Sequence, residues 1–446
     1  MIDTDLYRDH LAVLDRHLTY SLERAAAAGL KLDGVLFHSG RLEYFHADDQ
    51  MVPFRPTPHF LRWVPENGPE SMVLARPGRK PLVVRVRPKD YWYDMSAPEL
   101  SFWETAVDLK EAVSFEDGLK AIGDLTNIAW IGGCKAASEA AGVPADLYEP
   151  DRLMAPMDWH RGYKSEYEIQ QIRQAAVLSA AGHEAARATF LAGGSEREIH
   201  WAYLEGADHL EFQVPYETIV ALNPKGAILH YQHKRGNEAA PGKALLIDAG
   251  AASDGYAADI TRTWCAPDAD PVFVEMVRQV DTIERKLVDM VTTGRPYGEI
   301  HAASHRFIAE ILADAGIVKG SADEALEKGI TRAFYPHGVG HHLGLQVHDV
   351  GGHQEGPDGG KVAPPEEHPA LRTTRPLHNG HVVTIEPGIY FIDMLLEPVR
   401  NGADAALVDW AEVDRLSDHG GIRIEDNIVC TPDGPRDLTR DLIEGP

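Results

Sequence analysis

Apolar positions recur along this chain with two periods, and the change between them organises it. The opening residues carry an amphipathic helical pattern. Two short apolar runs, GVLFHSG and KPLVVRVRP, then predict strands, and the aromatic segments DYWYD and SFWET follow. Helix and strand patterns mixed over residues 1–160 predict an α/β domain with few candidate catalytic clusters. A break is predicted near 155–164, where Pro156 and Gly162 stand among polar neighbours. Beyond it, residues 161–446 form the second predicted domain. Ser165 and Glu168 fit a capping box ahead of a helix in which Ile169, Ile172 and Ala176 recur at helical spacing. Ser195 and Glu198 fit another after the Gly193-Gly194 turn. From about residue 215 the pattern turns to strands, glycines and charged residues. The Gly/Pro-rich stretch 351–369 reads either as a long ordered loop or lid, or as a disordered insertion.

The alternation is most informative in KALLIDAGAASDGYAADITRTW, two strands meeting at Asp254-Gly255, a strong hairpin signal. With that turn, Asp248 faces Thr261 and Gly250 faces Asp259. Asp248 and Asp259 then project from one face as diagonal neighbours, roughly 7–8 Å apart at the backbone. Apolar flanks hold both at least partly out of water, so each carboxylate needs a compensating charge, which a cation or Arg262 could supply. Two glutamates repeat the theme. Glu386 ends the apolar strand of VVTIEPGIY at a Pro387-Gly388 turn. Glu425 interrupts GGIRIEDNIV with Arg423 on its own face, and either glutamate could instead partner an arginine. Four acids in apolar strands are costly without metal.

The segment FYPHGVGHHLGLQVHDVGG sets His337, His341, His342 and His348 among five glycines. Such glycine density argues against a regular helix and for backbone bent closely around something, with imidazoles in ligand or proton-transfer roles. His342 reads equally as a mere neighbour.

Composition narrows the classes. A chain of 446 residues, 44% hydrophobic, has the apolar mass for two domains. The net charge of −26 repels phosphate backbones and anionic lipid, which argues against nucleic-acid and membrane partners. Cys134, Cys265 and Cys430 are odd in number and far apart, so neither a disulfide framework nor a thiolate zinc site is expected. An acidic, polar start and the lack of any long apolar run predict a protein of the cytoplasm.

Four ordered segments, DAGAASDGYAADITRT, PHGVGHHLGLQVHD, TIEPG and GGIRIEDN, resemble the metallopeptidase family with the pita-bread fold, which includes prolidases and aminopeptidase P. The chain is most similar to bacterial prolidases of the kind also called organophosphorus acid anhydrolases, and FHSGRLEYFHADD, PYETIVALN and EEHPALRTTR extend the resemblance over most of it. The resemblance implies an α+β fold: a pita-bread catalytic domain, of the creatinase and aminopeptidase P kind, behind a smaller α/β amino-terminal domain. It also implies a homodimer. Carried over, Asp248 chelates one metal, Asp259 and Glu425 bridge both, and His341 and Glu386 bind the second. His230 contacts substrate, and His337 and His348 handle protons. Arg423 holds the dipeptide carboxylate, Tyr216 lines the pocket, and Asp49 reaches a neighbouring subunit's site.

The oxygen-rich donor set favours two Mn²⁺ ions over thiolate-seeking metals, with Co²⁺ or Zn²⁺ also accommodated. The implied activity is hydrolysis of the bond preceding a carboxy-terminal proline by a metal-bridged hydroxide, with Glu386 shuttling the proton. Organophosphate triesters are an expected side substrate. Two readings compete: an aminopeptidase P acting on longer peptides, separable by chain-length preference, and a metal-free relative such as creatinase, separable by metal analysis.

Overall fold

The computed structural model describes residues 4–92, 101–237 and 242–443, so Tyr93 and Asp94 of the DYWYD segment lie outside the described residues. Two compact units emerge. One comprises Met1–Arg161, Ser165–Glu168 and Glu355–Gly360; the other comprises Gly162–Lys164, Ile169–Gln354 and Lys361–Pro446.

The first unit is built on a five-stranded sheet. Its strands run Asp108–Ala112, Leu82–Val86, Met72–Ala75, Gly34–His38 and Ile128–Ile131 across the sheet. The outer neighbours pair in parallel and the inner ones antiparallel. Leu36, Met72, Val84 and Trp130 form its core with Phe115. The opening helix, Thr4–Ala27, buries Tyr7, Leu11, Leu14, Leu18 and Leu22, a stripe at helical spacing. The break predicted near 155–164 falls at Gly162, after the helix Asp151–Arg161, and not at Pro156. That proline lies inside the helix Asp151–Arg161, where it removes one backbone bond, and packing against the opening helix offsets the loss. Nor is 351–369 a structureless insertion. Gln354–Gly356 and Gly359–Lys361 form a two-stranded hairpin, and Arg24 donates to Asp358 at its tip.

The helix Glu166–Leu191, which lies in the second unit from Ile169 onward, is followed by the helix Glu196–Gly206. Both predicted capping boxes close: Ser165 N–H donates to Glu168 at 2.9 Å, and Ser195 N–H to Glu198 at 2.8 Å. Ile169, Ile172 and Ala176 are buried as the spacing required. Behind them lies an antiparallel sheet of Thr261–Cys265, Ala244–Asp248 and Ile219–Leu222. In a second sheet Asp426–Thr431 pairs with Val382–Ile385 on one side and Gly434–Asp437 on the other, and a short ladder joins Gly388–Tyr390 to Gly421–Arg423. The bridge Thr261↔Glu425 ties these groups together. Helices Pro271–Val288 and Tyr297–Asp314 close the core with Phe273, Met276, Ile308 and Leu312. Among the described residues no helix is long and apolar enough to cross a membrane.

Candidate metal centre

The hairpin forms with the register its sequence requires. Asp254 and Gly255 have φ of 47° and 86°, the positive values a tight two-residue turn demands. Ser253 faces Tyr256, Ala252 faces Ala257 and Asp248 faces Thr261. The two long strands are nevertheless interrupted between these ladders. Asn427 engages both backbone groups of Asp259, accepting its N–H at 3.1 Å and donating to its carbonyl, while single bonds from Ala249 N–H to the Ile260 carbonyl and from Ala258 N–H to the Ala251 carbonyl keep the register on either side. Gly250 permits the approach, since a Cβ there would meet the Ala258 carbonyl at 2.0 Å.

His183 supports this irregular stretch from below, its Nε2–H donating to the Ala249 carbonyl at 3.0 Å. Burial pushes the imidazole down to about 3. The folded protein therefore holds His183 neutral at pH values where the unfolded chain, near 6.5, is protonated. Its contribution is complete above pH 6.5 and is lost as pH falls towards 3, at about 1.4 kcal/mol per pH unit. Denaturant titrations at pH 6.5 and 4.5 should show the wild type losing about 2–3 kcal/mol more than His183→Gln. Equal losses would refute the assignment.

Five side chains meet above the hairpin. Asp259 lies 3.3 Å from His341 Nε2, and Glu386 lies 3.7 Å from the same nitrogen. His341 Nδ1 bonds to the His342 carbonyl at 3.0 Å, an arrangement that leaves Nε2 to hold a cation placed among the acids. Glu425 accepts from the Thr261 hydroxyl at 2.7 Å. Candidate ligand atoms of Asp259, His341 and Glu425 all lie within 4.8 Å of one another. Asp248 stands at the edge, accepting from Tyr216 at 2.7 Å and from Arg423 at 2.6 Å. The alternative partners divide accordingly. Arg262 pairs with Asp426 at 2.7 Å rather than with the hairpin acids, while Asp248 does engage an arginine.

The electrostatics are those of a site short of positive charge. Burial pushes Glu386 up to about 7. Burial, reinforced by Asp259, Glu386 and Asp248, drives Glu425 well above the usual carboxylate range. Burial also raises Asp248, with Arg423 opposing it. Four carboxylates facing one imidazole and one guanidinium are a fit for hard divalent cations, which would restore the charge balance.

These groups line a cavity of about 260 Å³ together with His230, His337, His348 and Arg372. His337 Nδ1–H donates to the Gly338 carbonyl at 2.8 Å, so Nε2 accepts from the Tyr390 hydroxyl at 2.8 Å, and Nδ1 lies 3.6 Å from Glu386. Tyr390 in turn accepts from Arg423 at 2.8 Å. Burial holds His337 at about 3. His348 stacks edge-on to His341, its ring centroid 4.4 Å away, and burial lowers it to about 4. No side-chain hydrogen bond engages it among the described residues. His342 turns away and packs against His381. Tyr216 touches Asp248 rather than the cavity wall, and Asp49 is exposed in the amino-terminal unit beside the Tyr44↔Met51 bridge.

Several contributors escaped sequence reasoning. Asn427 and Thr261 act on backbone and on Glu425, roles that no spacing announces. Lys164 and Asp349 form a buried ion pair of 2.8 Å, and Asp349 N–H donates to the His342 carbonyl, which holds the histidine loop. Arg372 lies in the EEHPALRTTR segment, but that segment alone could not say which of its two arginines faces the cavity. Arg375 is buried over the Tyr163 ring instead.

The model of metallopeptidase family M24 matches residues 170–432, and that of the Xaa-Pro dipeptidase N-terminal domain matches residues 5–159. An Xaa-Pro dipeptidase of Pseudoalteromonas atlantica is 39% identical over 445 residues, covering 98% of each chain. One from Xanthomonas campestris pv. campestris is 39% identical over 442 residues, covering 99% of this chain and 98% of the relative. Among solved structures, the low-pH form of aminopeptidase P from E. coli superposes with a TM-score of 0.72 at 22% identity, covering 100% of this chain and 96% of that one. The Pseudomonas aeruginosa aminopeptidase PepP gives 0.70 at 24% identity, with 96% of both chains covered. These two likenesses establish the pita-bread architecture.

Proposed function

The chain belongs to metallopeptidase family M24 and hydrolyses Xaa-Pro dipeptides, and we propose that it does so with two divalent ions held by Asp248, Asp259, His341, Glu386 and Glu425. The observation that carries this reading is the convergence of four carboxylates on one imidazole at the floor of a single cavity. Mn²⁺ is the first choice for so oxygen-rich a set, ahead of Co²⁺ and Zn²⁺. Once bound, the ions supply Lewis acidity to the scissile carbonyl and acidity to a water.

The chain's own residues do the rest. Glu386, at the edge of the metal set, can take a proton from the attacking water and return it to the leaving nitrogen. His348 turns an uncommitted imidazole to the cavity and can donate to the oxygen where charge develops. His337, held by Tyr390, positions Glu386 from the other side. A bond preceding proline lacks the amide N–H by which many peptidases orient substrate, so grip must come from the carbonyl and the two substrate ends.

Two guanidiniums reach the cavity, and they are differently committed. Arg423 gives its N–H groups to Asp248, Thr261 and Tyr390. No carboxylate pairs with Arg372 among the described residues, so we assign Arg372 to the substrate carboxylate. Arg423, together with Tyr216, then sets Asp248, with His230 at the cavity mouth. Arg372→Ala should lower kcat/KM for Ala-Pro about 10–100-fold, mostly through KM, as loss of a charged hydrogen bond implies. Arg423→Ala should instead weaken metal retention, read by metal analysis after dialysis. The opposite pattern would return the carboxylate to Arg423.

Residues 1–160 and 161–446 serve as its two domains, a division supported by the adjoining family matches. A homodimer in which Asp49 binds the ammonium of the dipeptide bound next door completes the reading. Free Cys134, Cys265 and Cys430 suit a reducing compartment such as the cytoplasm. Organophosphate triesters, whose phosphoryl centre is tetrahedral, fit as side substrates. The test is chain length: Ala-Pro should be cleaved far faster than Ala-Pro-Ala. Comparable rates would favour an aminopeptidase P activity.

A further inference from the structure

Away from the carboxylate centre, a second group of donors stands together, three of its ring nitrogens buried without a hydrogen-bond partner among the described residues. His301 and His305 sit one turn apart on the helix Tyr297–Asp314, so their rings share a face. His368, half-exposed on the loop that leads to Arg372, completes a triangle. Its ring centroid lies 4.4 Å from His301 and 4.6 Å from His305, and those two lie 4.7 Å apart. Candidate donor nitrogens of all three fall within 4.8 Å of one another.

Both nitrogens of His301 are buried without a hydrogen-bond partner, as is Nε2 of His305. His305 Nδ1 bonds to the Thr331 hydroxyl at 3.0 Å, an arrangement that can fix Nδ1 as the protonated nitrogen and aim the Nε2 lone pair at its neighbours. Packing alone is a poor explanation of this arrangement, because each orphaned buried polar atom costs about 1–3 kcal/mol. Burial keeps His301 near 3 and His305 near 2, the neutral form that ligation requires. The cavity beside them, about 180 Å³, has room for a water and carries Glu367, whose charge counters that of Arg332.

We propose that His301, His305 and His368 form a separate, nitrogen-only binding site for a zinc-type divalent cation. Three imidazoles with an open position suit zinc, unlike the carboxylate set that suits manganese. Tetrahedral coordination brings such nitrogens to roughly 3.4 Å from one another, and rotation of the half-exposed His368 closes the remainder. The cavity shares Pro336, His337 and Ala370 with the catalytic one, so an ion there would tether the loop carrying Arg372 to the helix. The site stands whether or not the peptidase reading does.

The test uses the full chain, stripped of metal, equilibrated with zinc and freed of unbound ion. Zinc per chain is measured for the wild type, His368→Ala and His301→Gln, with circular dichroism to confirm folding. Each variant should hold one ion fewer than the wild type. Cobalt should give the wild type an intense four-coordinate visible band that both variants lack and that His341→Ala keeps. Equal zinc in all three proteins overturns the site, as does a cobalt band lost in His341→Ala and retained in His368→Ala. If His301→Gln does not fold, the His368→Ala comparison decides, because its loop position leaves the core untouched.

Discussion

Glu386→Gln should lower kcat for Ala-Pro by about 10²–10⁴-fold while leaving the protein folded. Glutamine preserves the size of the side chain and keeps one oxygen towards His341, so a simple loss of packing is avoided. What it removes is a group able to hold a proton. Without metal, burial raises the Glu386 carboxyl although His341 and Arg423 pull the other way, and bound cations would lower it again. Metal analysis of the variant separates the two roles: retained metal with lost turnover marks proton transfer, and lost metal marks ligation. A rate within twofold of the wild type would remove Glu386 from the chemistry altogether.

Lys164→Met should cost about 3–5 kcal/mol in a denaturant titration. Lys164 and Asp349 are both buried, their charges 2.8 Å apart, and removing the ammonium takes away its counter-charge to a carboxylate in a low-dielectric interior. The double replacement Lys164→Met/Asp349→Leu should recover most of the loss, since two apolar groups of similar volume avoid the desolvation cost. Activity should suffer in the single variant too, because Asp349 N–H holds the His342 carbonyl, which in turn fixes His341 Nδ1. A change below about 1 kcal/mol would mean that water reaches the pair.

The parts legible from sequence were those governed by local geometry. Alternation and a tight turn placed Asp248 opposite Thr261, and reciprocal side-chain caps located two helix starts, because each depends on residues close along the chain. Pro156 misled for the complementary reason: whether a proline ends a helix depends on what packs against it, and the opening helix lies about 130 residues earlier in sequence. The same limit hid the hold of Asn427 on the Asp259 backbone, a contact across 168 positions.

The four acids and one imidazole were legible as residue types, and their order pointed to the family. Their partners were not. Nothing near Arg423 in sequence says that it meets Asp248, or that Arg372 is left facing the cavity without a carboxylate. Those assignments follow from how separate ladders converge. The histidines divide in the same way: His341 and His348 turn inward from a glycine-rich loop, while the neighbouring His342 turns to His381.

The central claim is that Ala-Pro hydrolysis runs on divalent cations held at Asp248, Asp259, His341, Glu386 and Glu425. Its most direct test is the rate on Ala-Pro before metal removal, after exhaustive chelation and after return of Mn²⁺, with metal content measured at each stage. The account predicts a rate that collapses with the metal and returns with it. A chelated protein with no measurable metal and an undiminished rate would contradict it.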